Sequence, residues 1–519
     1  MIPGADVVDL SRLQFALTAL YHFIFVPLTL GLSVLLAIME TVYVMTGRDV
    51  WYRMVKYWGI LFGINFVLGV ATGLTMEFEF GTNWSYYSHY VGDVFGMPLA
   101  IEGLMAFFLE ATFVGMFFFG WQRLRPWQHL CCTWALALGT NLSALWILIA
   151  NGWMQNPVGA VFNYQTMRME VADFSKIIFN PVAQAKFVHT ISAGYVTGAM
   201  FVLSISAYFL LRRRNIEFAK RSMTVAVSFG LASALSVVVL GDESGYVANS
   251  NQKMKIAAME AMWHTEKAPA KLTILGWPNE KTQHTDYALD VPYLLGLIAT
   301  RSTDESLVGI DELIDEGKQR IREGMLAYDA LFRLKHNPQD AQAKQQFEQH
   351  GSQLGYGLLL KKYTNKVSDA SEEQINQAAL DLKPHVLPMF FSFRIMVACG
   401  LFFILLFAVG FYLSTQRTLE RSRWYLYVAQ WSLPLPWVAA ELGWIVAEYG
   451  RQPWVVQGIL PTFMGTSSIT SSQILTSLVG FVVFYSVFAA FEVYLMIKYI
   501  RLGPDGLWDQ QQENLAHDH

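Results

Sequence analysis

Charge is scarce in this sequence: Asp, Glu, Lys and Arg make up 15% of 519 residues, while 54% are hydrophobic. That balance excludes a string of soluble domains and indicates a polytopic membrane protein. The formal net charge of -4 is spread along the chain with no basic patch, which excludes nucleic acid as a partner. Cysteine is scarcer still, with Cys131 and Cys132 adjacent and Cys399 alone. That is neither a disulfide framework nor a zinc or iron-sulfur spacing, so the three read as small apolar packing residues. A cleavable signal is also missing. The first apolar run is long, with no basic n-region and no small-residue cleavage site, so its helix is expected to stay in the mature protein. No internal repeat is visible.

What the chain has is long apolar runs, near 15–45, 58–79, 95–120, 128–151, 186–211, 223–241, 388–414, 426–448 and 472–499. Each is long enough to span a bilayer. The expected fold class is an all-α polytopic membrane protein with nine transmembrane helices and a long, partly helical extracytoplasmic loop. Lys and Arg in the short connections (Arg48, Arg53 and Lys56; Arg123 and Arg125; Arg212 to Arg221; Arg417, Arg421 and Arg423) fall on one side, which is the cytoplasmic one. This puts the N-terminus outside and the C-terminus inside. The expected organisation is 1–245 for helices one to six, 246–387 for the loop, 388–501 for helices seven to nine, and a cytoplasmic tail without order over 502–519. The loop is charged, with amphipathic stretches near 253–266 and 309–335, and is far longer than a connector needs.

Carboxylates in a membrane require a reason. Glu441 and Glu448 lie two helical turns apart at the end of an apolar helix that Gly450 and Pro453 terminate. A buried carboxylate costs several kcal/mol, roughly, so a metal, a proton or a cation such as Arg451 is expected beside them. By spacing alone, Glu441 suits a proton-carrying or haem-adjacent role. Glu102 and Glu110 lie eight residues apart on one helix, about 12 Å along its axis, and could mark a proton path that Ser143 and Asn151 extend. Interhelical hydrogen bonding is the competing explanation. Glu77, Glu79 and Asp93 are expected to face water, and Glu40 and Glu492 receive no role.

His22 sits roughly 15 Å below the outer surface, where it is either hydrogen-bonded to a neighbouring helix or an axial ligand of haem iron. His189 and Met396 share a depth on two different helices and could clamp a six-coordinate haem, although methionine is common in apolar helices. Arg394, two residues before Met396, could pair with a haem propionate or a quinone carbonyl. Lys255 and Glu260, five residues apart on a short amphipathic stretch, read by spacing as a solvated face. A secondary transporter would also carry intramembrane acids, but inverted repeats and broken helices at midplane are not visible. A b-type haem electron-transfer anchor would need only paired ligands, not His22, Glu102 and Glu448 as well.

Five stretches together resemble subunit I of the cytochrome bd-type quinol oxidases along nearly the whole chain. They are Ser11 to His22 (SRLQFALTALYH), Gly63 to Glu77 (GINFVLGVATGLTME), Asn141 to Asn156 (NLSALWILIANGWMQN), Gly241 to Tyr246 (GDESGY) and Gly450 to Trp454 (GRQPW). The resemblance implies a terminal oxidase of the bacterial cytoplasmic (inner) membrane that oxidises quinol, reduces dioxygen to water and generates a proton gradient. It implies that His189 and Met396 ligate a low-spin haem b and that Glu448 serves a high-spin haem b. His22, with Glu102 opposite, goes to haem d, or to a third haem b in its place. Trp444 matches an aromatic residue packed between haems, and Arg451 a group holding propionates at the rim. The loop matches the family's quinol-binding loop, with Lys255, Glu260 and Tyr246 at the quinol. The partners implied are a second large membrane subunit and a small single-span one.

Overall fold

The computed structural model describes residues 6–517. Its chain order begins with α1 (Val7–Thr46), α2 (Asp49–Thr82), α3 (Ser85–Ile101), a π-helical turn over Glu102–Phe107, α4 (Phe108–Phe119) and α5 (Pro126–Gln155). A small hairpin, β1 (Ala160–Asn163) with β2 (Arg168–Val171), then precedes α6 (Phe174–Ile178), α7 (Pro181–Leu211) and α8 (Ile216–Asn251). Capping follows the sequence. Asp6 accepts the Asp9 amide at the start of α1, Gly47 closes that helix in a left-handed conformation, and Pro126 and Pro181 occupy first turns, where a missing N–H costs nothing.

The segment that follows holds α9 (Lys253–Met259), the hairpin β3 (Leu272–Asn279) with β4 (His284–Val291), α10 (Leu294–Ala299) and the long α11 (Ile310–His336). It continues with α12 (Ala341–His350), α13 (Leu354–Leu358) and α14 (Glu372–Leu380). The amphipathic stretch expected at 309–335 is α11, with Leu313, Ile314, Ile321, Ala327 and Leu331 on its buried face. Its core, around Trp263, Ile321 and Leu360, runs into Phe390 and Trp454 of the membrane portion. Then come α15 (Val386–Thr415), α16 (Arg423–Trp431), α17 (Leu435–Glu448), a tight ladder of β5 (Trp454–Val456) with β6 (Leu460–Pro461), and α18 (Ser471–His517).

Among the described residues, eight helical segments are long and apolar enough to cross a membrane. The ninth expected span, 426–448, is two helices separated by a turn at Ser432 to Pro434. Pro434 and Pro436 each remove an amide donor there. The 14 residues of α17 extend about 21 Å, less than the hydrocarbon thickness of a bilayer. The stretch after Leu502, expected without order, is helical. The chain kinks at Gly503 (φ +74) and continues to His517, with Arg214 donating to the carbonyls of Arg501 and Leu502 and the Arg53 guanidinium lying over the Trp508 ring.

The most apolar window of α7 is 83% buried, against 17% for α18, so α7 is the axis of the bundle. It meets α1 backbone to backbone. A Cβ on Gly198 would lie 2.6 Å from Gly31 Cα, and one on Gly31 would lie 2.4 Å from the Gly194 carbonyl oxygen. Small residues at such a crossing let two helices touch along their main chains. Gly198→Ala is therefore expected to destabilise the bundle by about 1–3 kcal/mol, read as a lower melting midpoint of the purified protein; an unchanged midpoint would show that the crossing is slack.

Candidate functional site

The rungs between α1 and α2 are polar where the sequence places His22. Its Nδ1 lies 2.9 Å from Thr72 Oγ1, and the Thr72 hydroxyl is directed at the carbonyls of Leu68 (2.8 Å) and Gly69 (3.1 Å). Thr72 therefore accepts from Nδ1–H, which leaves the Nε2 lone pair free. Gly73 makes room for the ring, since a Cβ there would meet His22 Cε1 at 3.1 Å. One turn along α1, Thr18 donates to Glu79 at 3.1 Å.

His22 opens onto a cavity of about 840 Å³, at the upper end of the roughly 300–1,000 Å³ typical of sites for sizeable organic groups. Glu77, Glu102, Glu110, Ser143, Trp444, Glu448 and Arg451 share its wall. Ser143 donates to Glu102 at 2.5 Å. The π turn matters here. In a regular α-helix, positions eight apart face directions about 80° from one another, and a π turn absorbs roughly one extra residue, which brings them to within about 20°. Glu102 and Glu110 consequently look into the same chamber.

Glu448 has the cation its burial demanded. Arg451 Nη2 reaches Oε2 at 2.6 Å, while Oε1 accepts from Asn151 (3.0 Å), Gln155 (3.1 Å) and Lys186 (3.4 Å). Arg451 is buried, and its Nε and Nη1 have no protein partner. Trp444 packs edge-on against Phe23, centroids 5.1 Å apart, and the Lys186 ammonium lies 5.5 Å from its ring.

His189 and Met396 do not line this chamber. His189 packs against α8, where a Cβ on Gly241 would meet its Cε1 at 3.2 Å, and its buried Nδ1 is without a partner. Met396 Sδ faces Gly443, the neighbour of Trp444, with 3.2 Å to a Cβ built there. A glycine thus stands against each of His22, His189 and Met396. Glu441 also lies off the chamber wall, both its oxygens buried and unpartnered.

The solvated face that spacing suggested for Lys255 and Glu260 is not what forms, since both are buried. Lys255 Nζ donates to Gln155 Oε1 (2.7 Å), the Ala447 carbonyl (2.8 Å) and Gln252 Oε1 (2.9 Å). Burial pushes its ammonium well below the usual lysine range; neighbouring Lys186 and Arg451 lower it further and Glu448 opposes them. Glu260 is raised by burial and held down by Arg394, whose Nη2 reaches it at 2.9 Å. Arg394 also donates to the carbonyls of Met259 and Thr273, so it clasps the loop segment. Tyr246 lies under the Arg301 guanidinium, 4.2 Å from ring centroid to cation.

Three acids given no role by the sequence lie inside the protein. Glu77, expected to face water, lines the chamber, and Gly69 and Gly73 at four-residue intervals before it were the available signal. Glu79, also expected to face water, is 1% exposed between α1 and α2. Glu40 joins His129 (2.6 Å) and Thr133 (2.6 Å) in a buried cluster. Asp93 stays half exposed beside Arg168.

The long apolar helices define a polytopic membrane protein, and the chamber between them has the volume of a site for a sizeable organic group. Over residues 10–504 the chain matches the family described as cytochrome bd terminal oxidase subunit I, and it belongs to that family. It is 51% identical over 506 residues to the cytochrome bd-II ubiquinol oxidase subunit 1 of Escherichia coli (strain K12), covering 98% of each chain. It is 36% identical over 497 residues to the cytochrome bd ubiquinol oxidase subunit 1 of Bacillus subtilis (strain 168), covering 96% of this chain and 94% of that one. The fold matches the bd oxidase of Geobacillus thermodenitrificans with a TM-score of 0.77 at 24% identity, over 97% of this chain and 100% of that one. The enzyme class is that of the quinol oxidases. The family binds haem, and the residues fit such a group: a free imidazole Nε2, a buried unpartnered imidazole, a thioether in an apolar setting, and a guanidinium with two unsatisfied N–H positions suited to propionates.

Proposed function

We propose that this chain is the haem-carrying subunit of a respiratory terminal oxidase of the bacterial cytoplasmic membrane, oxidising ubiquinol or menaquinol at the 246–387 loop and reducing dioxygen to water at the chamber. His189 and Met396 would hold a low-spin haem b, Glu448 a high-spin haem b, and His22 together with Glu102 haem d or a third haem b. When bound, these groups supply the electron path and the iron at which dioxygen is reduced. The chain's own residues do the rest. Thr72 fixes the His22 tautomer, and Arg451 takes propionates through its two free N–H positions. Trp444, on the chamber lining, is the aromatic residue adjacent to the haems, while Lys255, Glu260 and Tyr246 receive quinol, with Arg394 bracing Glu260.

With the N-terminus outside and the basic loops inside, quinol protons leave on the outer side and those consumed in making water come from the cytoplasm. Glu110, Ser143 and Glu102 form the inward-facing proton relay, and Glu441 is a second carrier. A second large membrane subunit and a small single-span subunit complete the complex.

The observation that carries this reading is the chamber itself, lined by His22, Glu102, Glu448 and the half-satisfied Arg451. A reduced-minus-oxidised spectrum of the purified complex, with and without carbon monoxide, is expected to reveal both low-spin and CO-binding haem; absence of a CO-binding component would reject the oxidase reading for these residues. Met396→Leu is expected to convert the low-spin signal to a five-coordinate or altered one, and an unaltered spectrum removes Met396 from the ligand set.

A further inference from the structure

One side chain touches both the loop cation and the chamber carboxylate. Gln155, the last residue of α5, is 1% exposed and uses both ends of its amide: Oε1 accepts from Lys255 Nζ at 2.7 Å, and Nε2 donates to Glu448 Oε1 at 3.1 Å. An amide offers, on two separate atoms and without charge of its own, a strong acceptor to an ammonium and a donor to a carboxylate. Both hydrogen bonds involve a charged partner, which places them among the stronger kind, and the one to Lys255 is buried. The sequence had put Lys255 and Glu448 in different parts of the chain, 193 positions apart by number, and gave Gln155 no role.

We infer that Gln155 is a positioning residue coupling the quinol loop to the high-spin site: its amide holds Lys255 and Glu448 in one register, so that a change at either end is felt at the other. The inference rests on the proposed assignment of Lys255 to quinol and Glu448 to haem. A parallel contact exists through the main chain, because Lys255 Nζ and Gln155 Nε2 both reach the Ala447 carbonyl, at 2.8 and 3.3 Å. The amide bridge predicts that this second contact does not suffice.

The test uses the assembled oxidase and two readouts, the KM for quinol and the absorption of the high-spin haem. Lys255→Met is expected to raise the KM about tenfold and to shift the high-spin band; Gln155→Met should do both. Gln155→Glu keeps an acceptor for Lys255 but loses the N–H that Glu448 takes and sets a second carboxylate beside it, so with the register broken it should shift the band and raise the KM together. In the Gln155→Met background, adding Lys255→Met should move the band much less than it does in the wild type. A band that responds to Lys255→Met equally with and without Gln155, or that ignores Lys255→Met altogether, overturns the bridge. Should Gln155→Met not assemble, Gln155→Asn, whose shorter amide cannot span both partners, takes its place, and a band that still follows Lys255→Met in full in that background overturns the bridge. Failure of the underlying assignments looks different: Lys255→Met would leave the KM unchanged, or Glu448→Leu would leave the high-spin signal intact.

Discussion

Glu110→Gln is expected to slow oxygen consumption by roughly 100-fold while quinol still reduces the low-spin haem at its normal rate. Glutamine keeps the size and polarity of the side chain but cannot bind and release a proton. Positioned proton transfer typically contributes about 100- to 10,000-fold, and a membrane relay has few alternative carriers. Glu110 is buried on the chamber wall, turned toward Glu102 by the π turn, and its Cγ lies 3.0 Å from where a Cβ would stand on Gly139 of α5. It thus faces α5 below Ser143, which already donates to Glu102. Stopped-flow reduction by quinol separates electron entry from turnover at an oxygen electrode. Equal turnover in mutant and wild type would sink the relay, and loss of both rates would show that Glu110 is structural.

The helices were legible because bilayer length and apolar composition are read directly from the chain. Seven of the nine expected spans are single α-helices, and the run at 95–120 is carried by α3, the π turn and α4 in sequence. The stretch 426–448 misleads because its composition satisfies a span while two prolines, at 434 and 436, break the hydrogen-bond ladder. The expectation of an unordered tail after Leu502 weighed its polarity and missed the anchoring by Arg214 and Arg53, which comes from residues nearly 300 or more positions away.

The chamber is a harder case. His22, Glu102, Glu110 and Glu448 stand out because ionisable groups are rare in apolar helices, and all four reach one cavity. Glu77 and Glu79 sit near a helix end, where composition suggests water; only the packing of α1 on α2 buries Glu79 and turns Glu77 inward. Lys255 and Glu260 carry a surface pattern, yet the loop folds back onto α5, α15 and α17 and buries both. Gln155 is unreadable from spacing, since an amide at the end of a helix is ordinary until its two partners are known.

Arg451→Leu is expected to destabilise the protein by about 3–5 kcal/mol, the usual consequence of stripping one partner from a buried ion pair. Arg451 is 7% exposed, held by the 3-10 turn Tyr449–Arg451, and gives Glu448 its shortest contact. Lys186 remains, but at 3.4 Å and with its ammonium already engaged by Asn151 at 2.5 Å, so it replaces the lost charge only in part. The effect belongs at the lower end of that range for this reason. Arg451→Lys separates charge from shape: it restores a cation without the planar fork, so most of the stability should return while the propionate contacts proposed for Nε and Nη1 do not. The measurement is the thermal unfolding midpoint of the purified complex, recorded with the high-spin haem absorption. A Leu variant that melts with the wild type would show that Lys186 and the amides of Asn151 and Gln155 already neutralise Glu448. A Lys variant that recovers the haem absorption in full would show that Arg451 contributes charge alone.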